Sequence, residues 1–356
     1  MVEGWVELSG GRHHGAHGAA VARSLNVAER DLLDFSQNIN PLGVPSGAME
    51  AAQRALREEA DRYPDAGYRR LREALAAYLG VPPASILPTN GGAEALFLAA
   101  RGARAGGGAL ILEPTFSEYA AAALAAGLEP VRRVARRREN GFRLDPGALE
   151  DLDGVDLVFL CNPNNPTGDS LNRREVLEVA GRVLGSGAVL VVDEAFADFA
   201  PEVSVARHAD GDLYVARSFT KFFGIPGLRL GCLVCADPGR VQRFQPSWPV
   251  NAVASAAATA AVADPDFVRT SVAEVARLRV ELCEGLEALP GLTPFPSAAN
   301  FLLVNGPEDL AGRLARRGVL VRGCELFLGL GPGYFRVAVR GAEENRRLLA
   351  ALREEL

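Results

Sequence analysis

The sequence predicts an α/β protein with a mostly parallel central sheet in a large domain, joined to a smaller α+β domain. Three observations carry that expectation. Apolar runs of strand length alternate with amphipathic helical segments along most of the chain. The runs lack strict in-out alternation, as strands buried on both faces require. The texture then changes near residue 246, where a long helical stretch precedes a few short strands and a final helix.

The elements follow in order. Residues 1–46 form a glycine-rich arm expected to contribute to the small domain and the active site, and 47–245 form the large domain. Within it "GALILEP" (108–114) and "VDLVFLC" (155–161) read as buried strands, and the turn "NPNNPTG" leads from the second into the helical pattern "RREVLEVAGRVL" (173–184). "AVLVVDE" (188–194), "LYVARSF" (213–219) and "LRLGCLV" (228–234) are three more strands of the same kind. Residues 246–356 form the small domain: a helix near 266–288, the strands "NFLLV", "GVLVR" and "YFRVAV", and the closing helix "EENRRLLAALREEL".

The 356 residues suffice for a large core, and 48% hydrophobic with 23% charged residues is a globular composition. A net charge of -6 supplies no positive field for nucleic acid or an acidic membrane. The run "RRVARRREN" (132–140) is read as a solvated connecting surface. The N-terminus has no secretory pattern and no run approaches the roughly 18 apolar residues of a membrane helix, so a cytoplasmic protein is expected. Five scattered cysteines fit reduced thiols, and Cys232 and Cys235 of "CLVC" would face opposite sides of a strand. His13, His14 and His17 have no carboxylate or cysteine beside them, so no metal site is expected.

Lys221, in "RSFTKFFGIPGLRLG" (217–231), is the only lysine in a chain whose other basic positions are arginine. A primary amine can form a Schiff base with an aldehyde and a permanently protonated guanidinium cannot; an accident of composition is the plain alternative. Four clusters at strand ends decide between them. Asp193 closes a buried strand, where a carboxylate needs a partner such as a protonated ring nitrogen. Asn165 sits in the turn "NPNNPTG" and can donate to a phenolate oxygen. "LPTNGGAEALFLAA" opens a helix on two glycines, a seat for a phosphate, and Ser218 and Arg229 flank Lys221 with groups suited to the same anion. Together these are the requirements of pyridoxal phosphate.

On the motifs "NPNNPTG", "DEAFADF" and "SFTKFFGIPGLRLG", in that order and nearly end to end, the chain resembles a fold-type I pyridoxal-phosphate-dependent transferase of the class I/II aminotransferase superfamily. The resemblance implies that Lys221 carries the cofactor, that Asp193 pairs with its ring nitrogen and that Asn165 binds its ring hydroxyl. Phe116 of "EPTFSEY" would stack on the ring, while Gly92, Ala93, Ser218 and Arg229 would hold the phosphate. Tyr63 of "RYPDAGY" would reach that phosphate from the other subunit of a homodimer with shared active sites. Arg336 of "YFRVAV" matches the arginine that grips a substrate carboxylate.

One departure narrows the reaction. Aminotransferases of this superfamily commonly carry tyrosine at the fourth position of the Asp-Glu-Ala motif, donating to the ring phenolate; here it is Phe196. With the N-terminal stretch 13–45, the motifs resemble the threonine-phosphate decarboxylases of cobalamin biosynthesis. That resemblance implies decarboxylation of L-threonine O-3-phosphate to (R)-1-amino-2-propanol O-2-phosphate. It places His14 and Asn38 at the substrate, with Arg322, Arg336 and Arg340 as candidates for its two anionic groups. In "HGAHG" the chain departs from those decarboxylases, with His17 where they tend to have asparagine. The runner-up is histidinol-phosphate aminotransferase, which also takes a small phosphorylated amine.

Overall fold

A computed structural model describes residues 18–356. In chain order the helices are α1 (Gly18–Leu25), α2 (Ser46–Glu58), α3 (Arg69–Leu79), α4 (Gly91–Ala100), α5 (Glu118–Ala125), α6 (Arg173–Gly185), α7 (Gly239–Gln242), α8 (Ala252–Val262), α9 (Pro265–Glu287), α10 (Leu310–Arg316) and α11 (Ala342–Glu355). The strands are β1 (Leu33–Asp34), β2 (Ile86–Asn90), β3 (Gly108–Glu113), β4 (Glu129–Val134), β5 (Val155–Cys161), β6 (Val189–Asp193), β7 (Leu213–Ser218), β8 (Leu230–Val234), β9 (Thr293–Pro294), β10 (Phe301–Asn305), β11 (Val319–Leu320), β12 (Arg322–Gly323) and β13 (Tyr334–Ala338).

The large sheet has seven strands in the order β2-β8-β7-β6-β5-β3-β4, with β8 antiparallel to both neighbours and the other pairings parallel. Its central strands are buried on both faces, as their unbroken apolar runs require. Val158, Leu160, Leu190 and Val192 enter one core, while Leu157, Phe159, Val189 and Val191 enter the core on the other face. All five strands expected from sequence are present. Two more, β2 and β4, flank them.

Side chains set the helix starts. Asn172 accepts from the Glu175 amide at 3.1 Å while Glu175 accepts from the Asn172 amide at 2.7 Å, a reciprocal cap that starts α6 where the turn ends. Asp264 caps α9 through the Phe267 amide at 2.9 Å, with Pro265 in the first turn.

The C-terminal part builds a four-stranded antiparallel sheet, β12-β13-β10-β9. The arm is tied to this part, since β1 pairs with β11 in parallel. Helix α8, which sequence texture groups with the C-terminal part, packs on α2 and α3.

The basic run 132–140 is not simply a solvated surface. Arg132 and Arg133 lie on the edge strand β4, but Arg136 is only 1% exposed, 3.7 Å from Asp169 and donating to the Leu112 carbonyl at 2.9 Å. Its pKa is lowered by burial, against the pull of Asp169. A run of like charges hid one residue with a buried partner of opposite sign. Among the described residues, no helix is long and apolar enough to cross a membrane.

Candidate active site

Strands β6 and β7 end side by side, and their last residues are Asp193 and Ser218. The antiparallel β8 starts where they end, so Arg229, one residue before it, returns to the same edge. Helix α4 leaves β2 there too, and the segment after β3 brings Phe116. A cavity of about 420 Å³ at this edge is lined by Gly92, Ala93, Phe116, Asp193, Ser218, Lys221 and Arg229, together with Leu96, Glu118, Ala195 and Thr220. Seven residues selected from sequence thus share one space at the C-terminal ends of parallel strands.

One end of the cavity suits a phosphate. Gly91 has φ +76°, and a Cβ there would come 2.7 Å from Arg229 Nη2; a Cβ on Gly92 would come 3.0 Å from Ser218 Cβ. Only glycine lets the first amides of α4, the guanidinium and the hydroxyl approach one another this closely. Thr220 adds a second hydroxyl, its Oγ1 2.9 Å from Ser218 Oγ. Arg229 has a left-handed backbone, φ +61°, a strained conformation that turns the chain just before β8.

The other end holds an amine and a carboxylate. Burial pushes the Lys221 amine below the ordinary lysine range, opposed by the nearby Asp193 charge and reinforced by Arg229 and Arg336. Burial pushes the Asp193 carboxyl up, and a hydrogen bond from Tyr119, the Lys221 charge and the Ala195 amide pull it back. Tyr119 Oη donates to Asp193 Oδ2 at 2.8 Å and the Ala195 amide donates to Oδ1 at 2.9 Å. Lys221 Nζ lies 4.9 Å from the centre of the Phe196 ring.

Behind these residues Arg217, next to Ser218, is enclosed by two carboxylates. It donates to Glu194 Oε2 at 2.6 Å and, through Nη2, to Asp198 Oδ1, which also accepts from Tyr78 Oη at 2.8 Å. Ser204 Oγ and the Val205 amide each donate to Glu194 at 2.6 Å. The alternation of "DEAFADF" is explained: Asp193 faces the cavity while Glu194 and Asp198 brace the neighbouring strand.

Arg336 is buried, and its charge acts on Lys221. Its Nη1 donates to Asn165 Oδ1 and its Nη2 to the Ser36 carbonyl at 3.1 Å. With its amide turned so that the oxygen faces the guanidinium, Asn38 accepts from Nη1 at 3.2 Å and Nε at 3.3 Å. The guanidinium lies 5.1 Å from the Phe301 ring centre, and burial pushes its pKa down to about 10. Asn165 is therefore held by Arg336 through its Oδ1. Arg322 and Arg336 are register partners on the antiparallel pair β12 and β13.

Two sequence candidates lie apart from this cluster. Arg340 gives its guanidinium to Glu344, one helical turn away, at 2.6 Å. Tyr63 is 76% exposed and stacks on Trp248 at 4.3 Å. His14 lies outside the described residues, as do His13 and His17. Tyr119, Thr220 and Glu118 were not singled out from sequence. Tyr119 stands three positions after Phe116, but nothing in the sequence connects it to Asp193, 74 positions away.

Known proteins share this fold. The chain is 40% identical to a threonine-phosphate decarboxylase of Salmonella typhimurium, over 96% of each chain. The solved structure of the L-threonine-O-3-phosphate decarboxylase of Porphyromonas gingivalis superposes with a TM-score of 0.76 at 28% identity, covering 87% of this chain and 97% of that one. The histidinol-phosphate aminotransferase of Clostridium acetobutylicum superposes with a TM-score of 0.84, also at 28% identity, covering 91% and 99%. The family model for aminotransferase class I and II matches residues 30–352. By that match and by the lysine, carboxylate and glycine cradle gathered at one edge of its sheet, the chain belongs to the class I and II aminotransferase family, whose enzymes depend on pyridoxal phosphate.

Proposed function

We propose that the chain is a pyridoxal-phosphate-dependent decarboxylase that converts L-threonine O-3-phosphate into (R)-1-amino-2-propanol O-2-phosphate in cobalamin biosynthesis. The observation that carries the reading is the 40% identity with the Salmonella typhimurium decarboxylase, which runs the length of both chains. The site supports it. Arg322 and Arg336 stand opposite each other on adjacent strands, two guanidinia for a substrate with two anionic groups.

The cavity fits the cofactor, since its glycine cradle, two hydroxyls and Arg229 match a phosphate and its buried amine and carboxylate match the ring. When bound, pyridoxal phosphate supplies an electron sink conjugated to the substrate Cα. Asp193 would hold a proton at the ring nitrogen, Phe116 would pack against the ring face and Asn165 would donate to the ring oxygen. Lys221, kept below the usual lysine range by burial, would be the residue that holds the cofactor, and its amine could serve as a proton donor to the substrate Cα. Arg336 fixes the substrate by its carboxylate and Arg322 by its phosphate. Held at both anionic groups, the substrate would be restricted in the orientation of its carboxylate, which is what selection of that bond for cleavage requires.

The reading includes a homodimer in which Tyr63 crosses to the other subunit's phosphate site. Support comes from the exposure of this large side chain and its rigid placement on Trp248, itself 45% exposed. Sedimentation of the purified protein as a monomer at micromolar concentration would remove that part of the proposal.

The test is product analysis with L-threonine O-phosphate and no oxo acid. Carbon dioxide with stoichiometric aminopropanol phosphate is expected. A second reading, histidinol-phosphate aminotransfer, is favoured by the Clostridium acetobutylicum structure. It would replace the first if no carbon dioxide forms and amino transfer from histidinol phosphate begins once 2-oxoglutarate is added.

A further inference from the structure

Tyr119 has no part in the chemistry above, yet it touches the residue on which that chemistry turns. Its side chain is fully buried, with the ring stacked on Phe159 at 4.9 Å and 11° between planes. It meets Phe116 edge-on at 5.8 Å. A phenylalanine would satisfy both ring contacts. The hydroxyl is the expensive part, because a buried O–H costs free energy unless it is paired.

The pairing is specific. Tyr119 Oη donates to Asp193 Oδ2 at 2.8 Å while the Ala195 amide donates to Oδ1 at 2.9 Å. One donor on each oxygen fixes the plane of the carboxylate, and both donors favour its charged form. Burial pulls the other way, toward a neutral acid that could not retain a proton on a ring nitrogen. Tyr119 remains a donor throughout, because burial and the adjacent Asp193 charge push its own ionisation well above the ordinary tyrosine range. The same ring abuts Phe116, so one side chain braces both the face and the nitrogen edge of the cofactor position.

We propose that Tyr119 is a positioning residue for the cofactor: it holds Asp193 in plane and ionised, so that Asp193 keeps the proton on the ring nitrogen of pyridoxal phosphate. The proposal rests on the cofactor reading of this site and assigns a residue to the state of the cofactor, not to the substrate.

The experiment compares wild type with Tyr119→Phe, which keeps both ring contacts and removes only the hydroxyl. Each protein is loaded with pyridoxal phosphate carrying nitrogen-15 in the ring, and three quantities are read: the ring nitrogen resonance, the cofactor dissociation constant and the unfolding temperature of the cofactor-free protein. The expected result is a protonated resonance in wild type that moves toward neutral pyridine in the variant. Affinity should fall about tenfold or more, the scale of one hydrogen bond to a charged acceptor. An unchanged resonance overturns the proposal, including when the unfolding temperature drops, since Tyr119 would then serve packing alone. A wild-type protein that takes up no pyridoxal phosphate overturns the cofactor reading itself and this proposal with it.

Discussion

The amine of Lys221 lies over the face of the Phe196 ring, 4.9 Å from its centre. Phe196 is held in turn edge-on against Phe301 at 4.9 Å. Position 196 therefore offers the cofactor pocket an aromatic face and no hydroxyl. Phe196→Tyr would add a donor for the ring oxygen, which otherwise serves as counter-ion to a protonated Lys221 nitrogen. Weakening that counter-ion makes the nitrogen easier to deprotonate. The pH midpoint of the bound-cofactor absorbance change is expected to fall by about one unit, measured by spectrophotometric titration.

Lys221→Arg keeps a positive charge and removes the nucleophile. Expected outcomes are loss of the visible band of the bound cofactor and loss of turnover, with a retained band sinking the assignment. A companion variant, Lys221→Met, tests burial. The amine has a folded-state pKa below its ordinary 10.5, so between those two values the unfolded chain binds a proton that the folded chain lacks. Stability of the cofactor-free wild type must rise with pH across that window. Chemical denaturation at several pH values should show a smaller slope in Lys221→Met.

Arg336, which the resemblance matches to a carboxylate-gripping arginine, and Arg340 were both candidates for the substrate's anionic groups, and their partners separate them. Arg336 joins Asn38, Ser36 and Asn165 and its charge acts on Lys221, whereas Arg340 serves Glu344. Arg336→Leu is expected to raise KM for the phosphorylated substrate by about a hundredfold, the loss of a charge-assisted hydrogen-bond pair. Arg340→Ala should change KM by less than about threefold, because an i,i+4 surface pair contributes only about 0.5 kcal/mol. Steady-state kinetics on the two variants decides between them.

Arg217→Met tests the ionic support behind the cavity. It would leave Glu194 and Asp198 buried without their cation, at a cost of about 3–5 kcal/mol. Urea denaturation should show that loss. Adding Glu194→Gln and Asp198→Asn to the same chain should recover part of it, since no buried charge would then lack a partner.

Much of this was legible in the sequence because two-sided burial leaves an unbroken apolar run, and the five runs found became β3 and β5 to β8. The missed strands sit at the edges of the sheet. β2 carries Pro88 and ends on polar residues, and β4, Glu-Pro-Val-Arg-Arg-Val, carries a proline and three charges with no residue fully buried. The cavity-lining candidates were readable because most lie at or just beyond a strand end or at a helix start. Tyr119 and Arg136 were not, since their meaning lies in partners, Asp193 and Asp169, that only the fold brings near. The diversion of Arg340 was written locally, in a glutamate four positions on, and could have been read.

The reversed direction of β8 has a consequence for how the molecule is made. Ser218 is the register partner of Gly231, so the hairpin of β7 and β8 carries Ser218, Lys221 and Arg229 at and within its connection. A slip of one residue would turn every β8 side chain to the opposite face and separate Ser218 from Arg229. On the proposed cofactor reading, a chain paired out of register would lack this cradle and would not retain pyridoxal phosphate, so correct pairing of one hairpin is a condition of activity.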